Sequence, residues 1–417
     1  MMLKKLDSPL KDLEEDNNTV LNDPIIGNSI LSLRYNPHQH IELPKLNWKD
    51  FVPSTIPVST NSLEKILENS IEKKITNLND NLVMALSGGI DSTLVLSLIK
   101  KTLPNQNIKA LSIQFADSVD ETKTAKKIAD ELDVSHEIIF LENFFKELPK
   151  AISIIKQPFW DIHWYYLAKN ANSDWIVTGD GGDELFGGYT FRYSKFLSLV
   201  NSKSTATEKV KAYLECHERD HVLDQESIFG QKSNFSWNSI YQIIEPYFSN
   251  SLSPLEQVFL ADYNGKLLYN FSPIANNINN YFNLKSLRPI LDSTLIKTAT
   301  HIPYAQKYDF ESNVGKIPLR KILLNLKKDH LIEKEKLGFS VNPINLWISY
   351  GFELCENYLN NSRLVSDKWI NPIWIKKHLK KQLSDVRYIN KFFGLLAFEL
   401  WYRLFITKEI NSNLKLT

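Results

Sequence analysis

Four short apolar runs, at residues 82–86, 110–115, 137–140 and 175–178, constrain the fold more than any other feature of the chain. The first is apolar throughout, as expected of a strand buried on both faces. Residues 92–101 and 121–132 lie between runs and read as helices. In the second of these Ala125, Ile128, Ala129 and Leu132 share one face. Alternation of strand and helix implies an α/β fold with a doubly wound parallel sheet, whose ligands bind at the carboxyl ends of the strands. Ahead of the sheet, the pattern predicts a helix from Asn61, with Leu63, Ile66, Leu67 and Ile71 as its stripe and Glu64 in a capping pair.

Outside this stretch the pattern changes. Residues 1–30 are polar and expected to be mobile, and residues 31–60, with Pro37, Pro44, Pro53 and Pro57, read as an extended connector. Beyond residue 195 strand signals fade and helical periodicity with aromatic anchors dominates. Three units follow: an N-terminal extension and connector (1–60), an α/β domain (61–195) and a mainly helical C-terminal part (196–417). Residues 392–406 are apolar but carry Glu399 and Arg403. They are too short to span a bilayer and read as a buried helix with an i,i+4 ion pair. The formal charge of +1 on 417 residues gives no global field to draw nucleic acid or an anionic membrane. Two cysteines, Cys216 and Cys355, and an N-terminus without a signal-peptide core fit a cytoplasmic protein.

Ser87-Gly88-Gly89-Ile90-Asp91-Ser92 follows the first run and opens a helix. Two glycines allow a tight turn and close approach of the backbone, and the exposed N–H groups face an anion such as phosphate. Ser87 and Ser92 add hydroxyl donors. Asp91 repels phosphate by itself, so a Mg²⁺ between them is the sensible reading. The Gly-Lys-Ser/Thr of a Walker A loop is missing. A second loop follows the fourth run: Thr178-Gly179-Asp180-Gly181-Gly182-Asp183-Glu184-Leu185-Phe186-Gly187-Gly188-Tyr189. Its acids can complete a Mg²⁺ site opposite Asp91, and one can act as a base near a reacting carbonyl.

The first loop resembles the pyrophosphate loop of the ATP pyrophosphatase superfamily. Together the two loops resemble the synthetase domain of asparagine synthetases, a likeness that covers roughly residues 60 to 405. The resemblance implies an enzyme that adenylates a carboxylate with ATP and makes an amide from it, aspartate and ammonia giving asparagine. It implies that Asp91 and Asp183 bind Mg²⁺ and that Asp180, where many relatives carry glutamate, assists ammonia attack. Nucleotide contacts map onto Leu86, Ile113, Thr178 and Gly179. Lys336, ahead of Gly338-Phe339, matches the lysine of the family's Arg-x-Lys-x-Gly-Phe segment and would neutralise charge on the acyl-adenylate. Lys334 stands at the arginine position. Lys316 and Arg320 also fit a family helix. Pro158 and Asp161 fit the segment before the second loop. Pro289, Leu291 and Asp292 fit a later segment, in which Lys285 and Leu287 replace two charged residues and Arg288 sits one place along.

Full-length relatives begin with a glutaminase domain whose nucleophile is an N-terminal cysteine. The chain starts Met1-Met2, so the expected nitrogen source is free ammonia, another amine, or ammonia from a separate glutaminase subunit; a homodimer is equally compatible. Leu33-Arg34-Tyr35-Asn36-Pro37 resembles the tail of the family connector. Other readings remain: a cyclase or ligase acting on another carboxylate and amine, and a non-catalytic scaffold, against which the retained Asp91, Ser92, Asp183 and Lys336 argue. A tRNA-modifying ligase with the same first loop would usually lack the second loop and carry a basic patch, neither of which suits this chain. His217-Glu218-Arg219-Asp220-His221 matches the zinc-protease pattern. Its charged interior and the lack of a third ligand favour a solvated helix.

Overall fold

The computed structural model describes residues 24–75, 81–201, 203–217, 221–332 and 341–417. Five strands form one sheet: β1 (Leu82–Ala85), β2 (Ile108–Phe115), β3 (Ser135–Leu141), β4 (Trp175–Val177) and β5 (Lys285–Leu287). Their order is β3-β2-β1-β4-β5, and every pair is parallel. The chain steps outward from β1 to β3, then returns to the other side of β1 for β4. That reversal opens a crevice between the carboxyl ends of β1 and β4, where sheets of this kind bind ligands.

Both faces of the sheet are covered. Leu82 and Met84 of β1 enter one apolar core, with Leu63, Leu67 and Ile71 of the helix Thr60–Ile75 and Leu94 and Leu98 of the helix Ile90–Thr102. Val83 and Ala85 enter the other, with Ile152 of the helix Leu148–Ile155 and Phe392 and Phe393 of the helix Val386–Phe405. This last helix carries the expected ion pair, Arg403 Nε to Glu399 Oε1 at 2.7 Å. The fully buried Glu399 carboxylate also accepts from Ser362 Oγ and from the N–H groups of Arg363 and Leu364. Among the described residues no helix is long and apolar enough to cross a membrane.

The structure departs from the sequence reading at four places. A fifth strand, β5, arises where strand signals had faded; three residues leave too little room for a pattern. Pro24–Leu33, read as mobile up to residue 30 and as extended connector beyond it, is a helix that buries Ile26, Ile30 and Leu31. Glu64 makes no cap and instead pairs with Lys101 at 2.7 Å. Ile138 and Phe140 of the edge strand β3 are exposed, so the covering layers do not extend over all of that strand.

Lys307 is buried with its ammonium 5.1 Å from the centre of the Phe259 ring. Burial pulls this lysine down to about 7, against a smaller opposing effect of Glu256. The folded pKa lies below the unfolded one, so between pH 7 and about 10.4 the unfolded chain binds more protons and stability rises with pH. Lys307→Met should therefore stabilise the protein at pH 7, with the gain vanishing near pH 10. Urea unfolding at the two pH values measures this, and an equal gain at both would contradict the burial effect.

Candidate active site

The loop after β1 turns at Gly88, whose φ of 76° is a left-handed conformation that favours glycine. Gly89 caps the helix Ile90–Thr102 without a side-chain bond, which leaves backbone N–H groups of its first turn available to an anion. Ser87 Oγ and Ser92 Oγ lie 3.2 Å apart across the loop, and Ser92 Oγ also donates to Gly89 O. The side chains of Leu86 and Ile113 lie in opposite cores, so their polar contact surface toward a nucleotide is backbone.

The second loop leaves β4 and packs on the first. Thr178 N donates to Leu287 O, which ties the loop to β5. Gly182 opens the short helix Gly182–Phe186, and a Cβ there would fall 2.3 Å from Asp91 Cγ. The glycine is thus required by close approach, since any side chain would displace the Asp91 carboxylate. Gly182→Ala should fold but lower ATP turnover by about 100-fold, the scale of losing one positioned charge. Steady-state kinetics tests it, and wild-type turnover would show that Asp91 has room to shift.

Asp91 and Asp183 meet as the sequence reading requires, and a third residue joins them. Lys316 Nζ lies 2.5 Å from Asp91 Oδ2 and 3.0 Å from Asp183 Oδ1. Lys316 is 7 % exposed. Burial alone would lower its pKa, but the charges of Asp183 and Asp91 outweigh that and raise it. It occupies the left-handed position (φ 56°) ahead of the helix Ile317–Asn325, with its N–H bonded to Phe186 O. A non-glycine residue there costs about 1 kcal/mol or more, a strain that the two ion pairs offset. Arg320, one turn on, donates from Nε to Gly315 O.

Two carboxylates aimed at one cationic point make the pattern of a hard divalent cation that takes its remaining oxygens from phosphate and water. Asp91 and Asp183 could hold such a cation, and their carboxylate oxygens suit Mg²⁺. Asp180 is half-buried in the second loop, and its N–H lies 3.4 Å from Thr178 Oγ1. Lys336, together with Lys334, Gly338 and Phe339, lies outside the described residues.

Sequence reasoning missed a buried network behind the second loop. Tyr189 OH donates to Glu184 Oε1 at 2.5 Å. Burial, and then the charge of Asp183, raise Glu184 to about 7. Arg192 caps the Tyr189 ring at 4.3 Å and pairs with Asp262 at 2.9 Å, both side chains being almost wholly buried. Tyr213 OH donates to the other Asp262 oxygen. His217 is part of this network and not of a solvated helix: Nδ1 donates to Tyr213 O and Nε2 faces Arg192 Nη1 at 2.6 Å. Both ring nitrogens are engaged, so His217 is not available to zinc. Residues 218–220 lie outside the described residues, and no group of three metal-ligating side chains occurs among those described. The only sequence signal for the network was the acidic loop that it supports.

Residues 62–403 match the family described as Asparagine synthase. The chain belongs to that family. It is 27 % identical over 362 residues to asparagine synthetase [glutamine-hydrolyzing] 1 of Bacillus subtilis, covering 78 % of this chain and 56 % of that protein. A putative asparagine synthetase [glutamine-hydrolyzing] of Mycobacterium tuberculosis is 22 % identical, with coverages of 83 % and 58 %. The chain thus spans little more than half the length of these relatives. The NH(3)-dependent NAD(+) synthetase of Carboxydothermus hydrogenoformans is 27 % identical over 172 residues, covering 37 % of this chain and 70 % of that protein. Among solved structures, the NMN synthetase of Francisella tularensis overlaps at a TM-score of 0.25 and 17 % identity, covering 54 % of this chain and 94 % of that one.

Proposed function

We propose that the chain is an ATP-dependent ligase that adenylates a carboxylate and passes the acyl group to ammonia, giving an amide, AMP and pyrophosphate, with aspartate and asparagine as the first pair to test. One observation carries this reading: two glycine-rich acidic loops meet at the switch point of the sheet and focus Asp91 and Asp183 on a single cation. The N–H groups and hydroxyls at Ser87, Gly88, Gly89 and Ser92 receive the phosphates. Leu86, Ile113, Thr178 and Gly179 border the nucleoside. Asp91 and Asp183 would hold a Mg²⁺, whose charge would neutralise phosphate oxygens. Lys316, already the counter-ion of both acids, turns its charge to the departing pyrophosphate, and Lys336 does the same for the acyl-adenylate. Asp180 accepts a proton from the attacking amine. The NH(3)-dependent relative supports ammonia as the donor.

A second reading keeps the adenylation and changes the carboxylate. Arg288 sits beside the position where the family carries a charged residue, but it points to Ser272 and Asn276 at 2.9 and 3.0 Å. Leu287 is buried in the core. A site without that charge fits an acid other than aspartate.

Chromatography of a reaction containing protein, ATP, Mg²⁺, aspartate and ammonium separates these readings. Equal yields of AMP, pyrophosphate and asparagine support the first. Nucleotide cleavage only with another acid from a carboxylate panel supports the second. No cleavage with any acid overturns both.

A further inference from the structure

A hydrogen-bonded polar rung runs across one edge of the sheet. The ladder between β1 and β2 pairs Ala85 with Leu111, so Leu86 comes level with Ser112 as the chain leaves β1. Leu86 N still donates to Leu111 O. Leu86 O accepts from the hydroxyl of Ser112, 2.5 Å away and 1 % exposed. On the far side of Ser112, His136 Nε2 of β3 lies 2.8 Å from the same hydroxyl oxygen. The residue that follows β1 and the strands β2 and β3 thus contribute one group each.

The protons on this rung can be assigned. A serine hydroxyl has one hydrogen, and two oxygens 2.5 Å apart need it between them. Ser112 therefore donates to Leu86 O and accepts from His136, whose Nε2 carries the hydrogen. His136 Nδ1 is buried and has no hydrogen-bond partner among the described residues. A proton added there would find no acceptor. Burial, and then the nearby Lys126 charge, also disfavour the imidazolium, against a smaller opposing effect of Asp130.

We propose that His136 is a positioning residue for the phosphate loop: acting through Ser112, it fixes the plane of the Leu86–Ser87 peptide. In a trans peptide the carbonyl and the next N–H point in opposite directions. Holding Leu86 O toward β2 therefore aims Ser87 N–H away from it, into the loop, where Ser92 Oγ lies 3.4 Å off. Ser87 N–H opens the loop that the nucleotide reading assigns to phosphate, and Ser92 Oγ accepts from it. Without the His136 donor, the Ser112 hydroxyl loses the partner that fixes its rotamer, and the Leu86–Ser87 peptide is held less firmly. This inference rests on the nucleotide reading of the loop given above.

The test is calorimetric ATP binding in the presence of Mg²⁺, with the thermal midpoint of each variant measured separately. His136→Ala and Ser112→Ala should each weaken ATP binding by about tenfold, the scale of one misdirected hydrogen bond. His136→Gln, which can place an amide N–H near the Nε2 position, should recover most of the affinity. The double variant should bind no more weakly than Ser112→Ala, because a relay broken once cannot be broken again. Wild-type affinity in His136→Ala, even with a lowered melting temperature, overturns the relay and leaves the nucleotide reading intact. Losses that add in the double variant overturn it also. Failure of the wild-type protein to bind ATP removes the nucleotide reading and the relay with it.

Discussion

Asp91→Asn should reduce ATP-dependent pyrophosphate exchange by at least about a thousandfold in a protein that still folds, since Lys316 keeps Asp183 as a partner. The substitution keeps the shape of the side chain and removes one of two charges that converge on a single point. Asp91 cannot be replaced by a neighbour, because Gly182 packs against its carboxylate and the Lys316 ammonium sits directly on it. Asp183→Asn should behave in the same way from the other side. The measurement is exchange of labelled pyrophosphate into ATP in the presence of the carboxylate substrate. Exchange within a few-fold of wild type in either variant would end the proposed metal role of that residue.

Lys316→Ala should have a double effect. It leaves two carboxylates facing one another in a largely buried place without their cation. Removing one partner of a buried ion pair typically costs about 3 kcal/mol or more. Catalysis should fall by about 100-fold on top of that, since the side chain faces the loop proposed to hold the departing pyrophosphate. Arginine should not restore it. Its planar fork is wider than an ammonium, and even a Cβ on Gly188 would come within 2.3 Å of Lys316 Cε. The two carboxylates offer a diagnostic response to magnesium. In Lys316→Ala they are free to take the divalent ion, so millimolar Mg²⁺ should raise the melting temperature of the variant more than that of the wild type. Equal magnesium responses would argue that the two acids do not form a cation site.

The parts of this protein that were legible in sequence are those whose physics is local. A strand buried on both faces has to be apolar, which exposed β1 as a run at residues 82–86. A phosphate loop needs glycine and hydroxyl residues next to a strand end and a helix start, which exposed Ser87, Gly88, Gly89 and Ser92. The Glu399–Arg403 pair was readable because one helical turn places i and i+4 together. The less legible parts depend on distant chain. β5 has three residues and no alternation. Pro24–Leu33 is helical because Ile26, Ile30 and Leu31 find an apolar core to enter, and its own sequence offers no sign of that core. The Arg192–Asp262 pair joins residues 70 apart in the chain, and no local spacing marks them as partners.

The sequence by itself determined the class of fold, the two loops and the acids within them, because each is a short pattern tied to one local conformation. It also supplied Lys316 as a match to a family helix, but not its partner. Only the tertiary structure decided that β1 and β4 are neighbours, and hence that the two acidic loops share one crevice. It also decided that Lys316, 225 residues from Asp91, closes the charge pair, and that Ser112 and His136 brace the loop from behind. The reason is physical: strand order and long-range ion pairs follow from how the whole chain buries its apolar faces, and no local spacing encodes which strand will lie beside which.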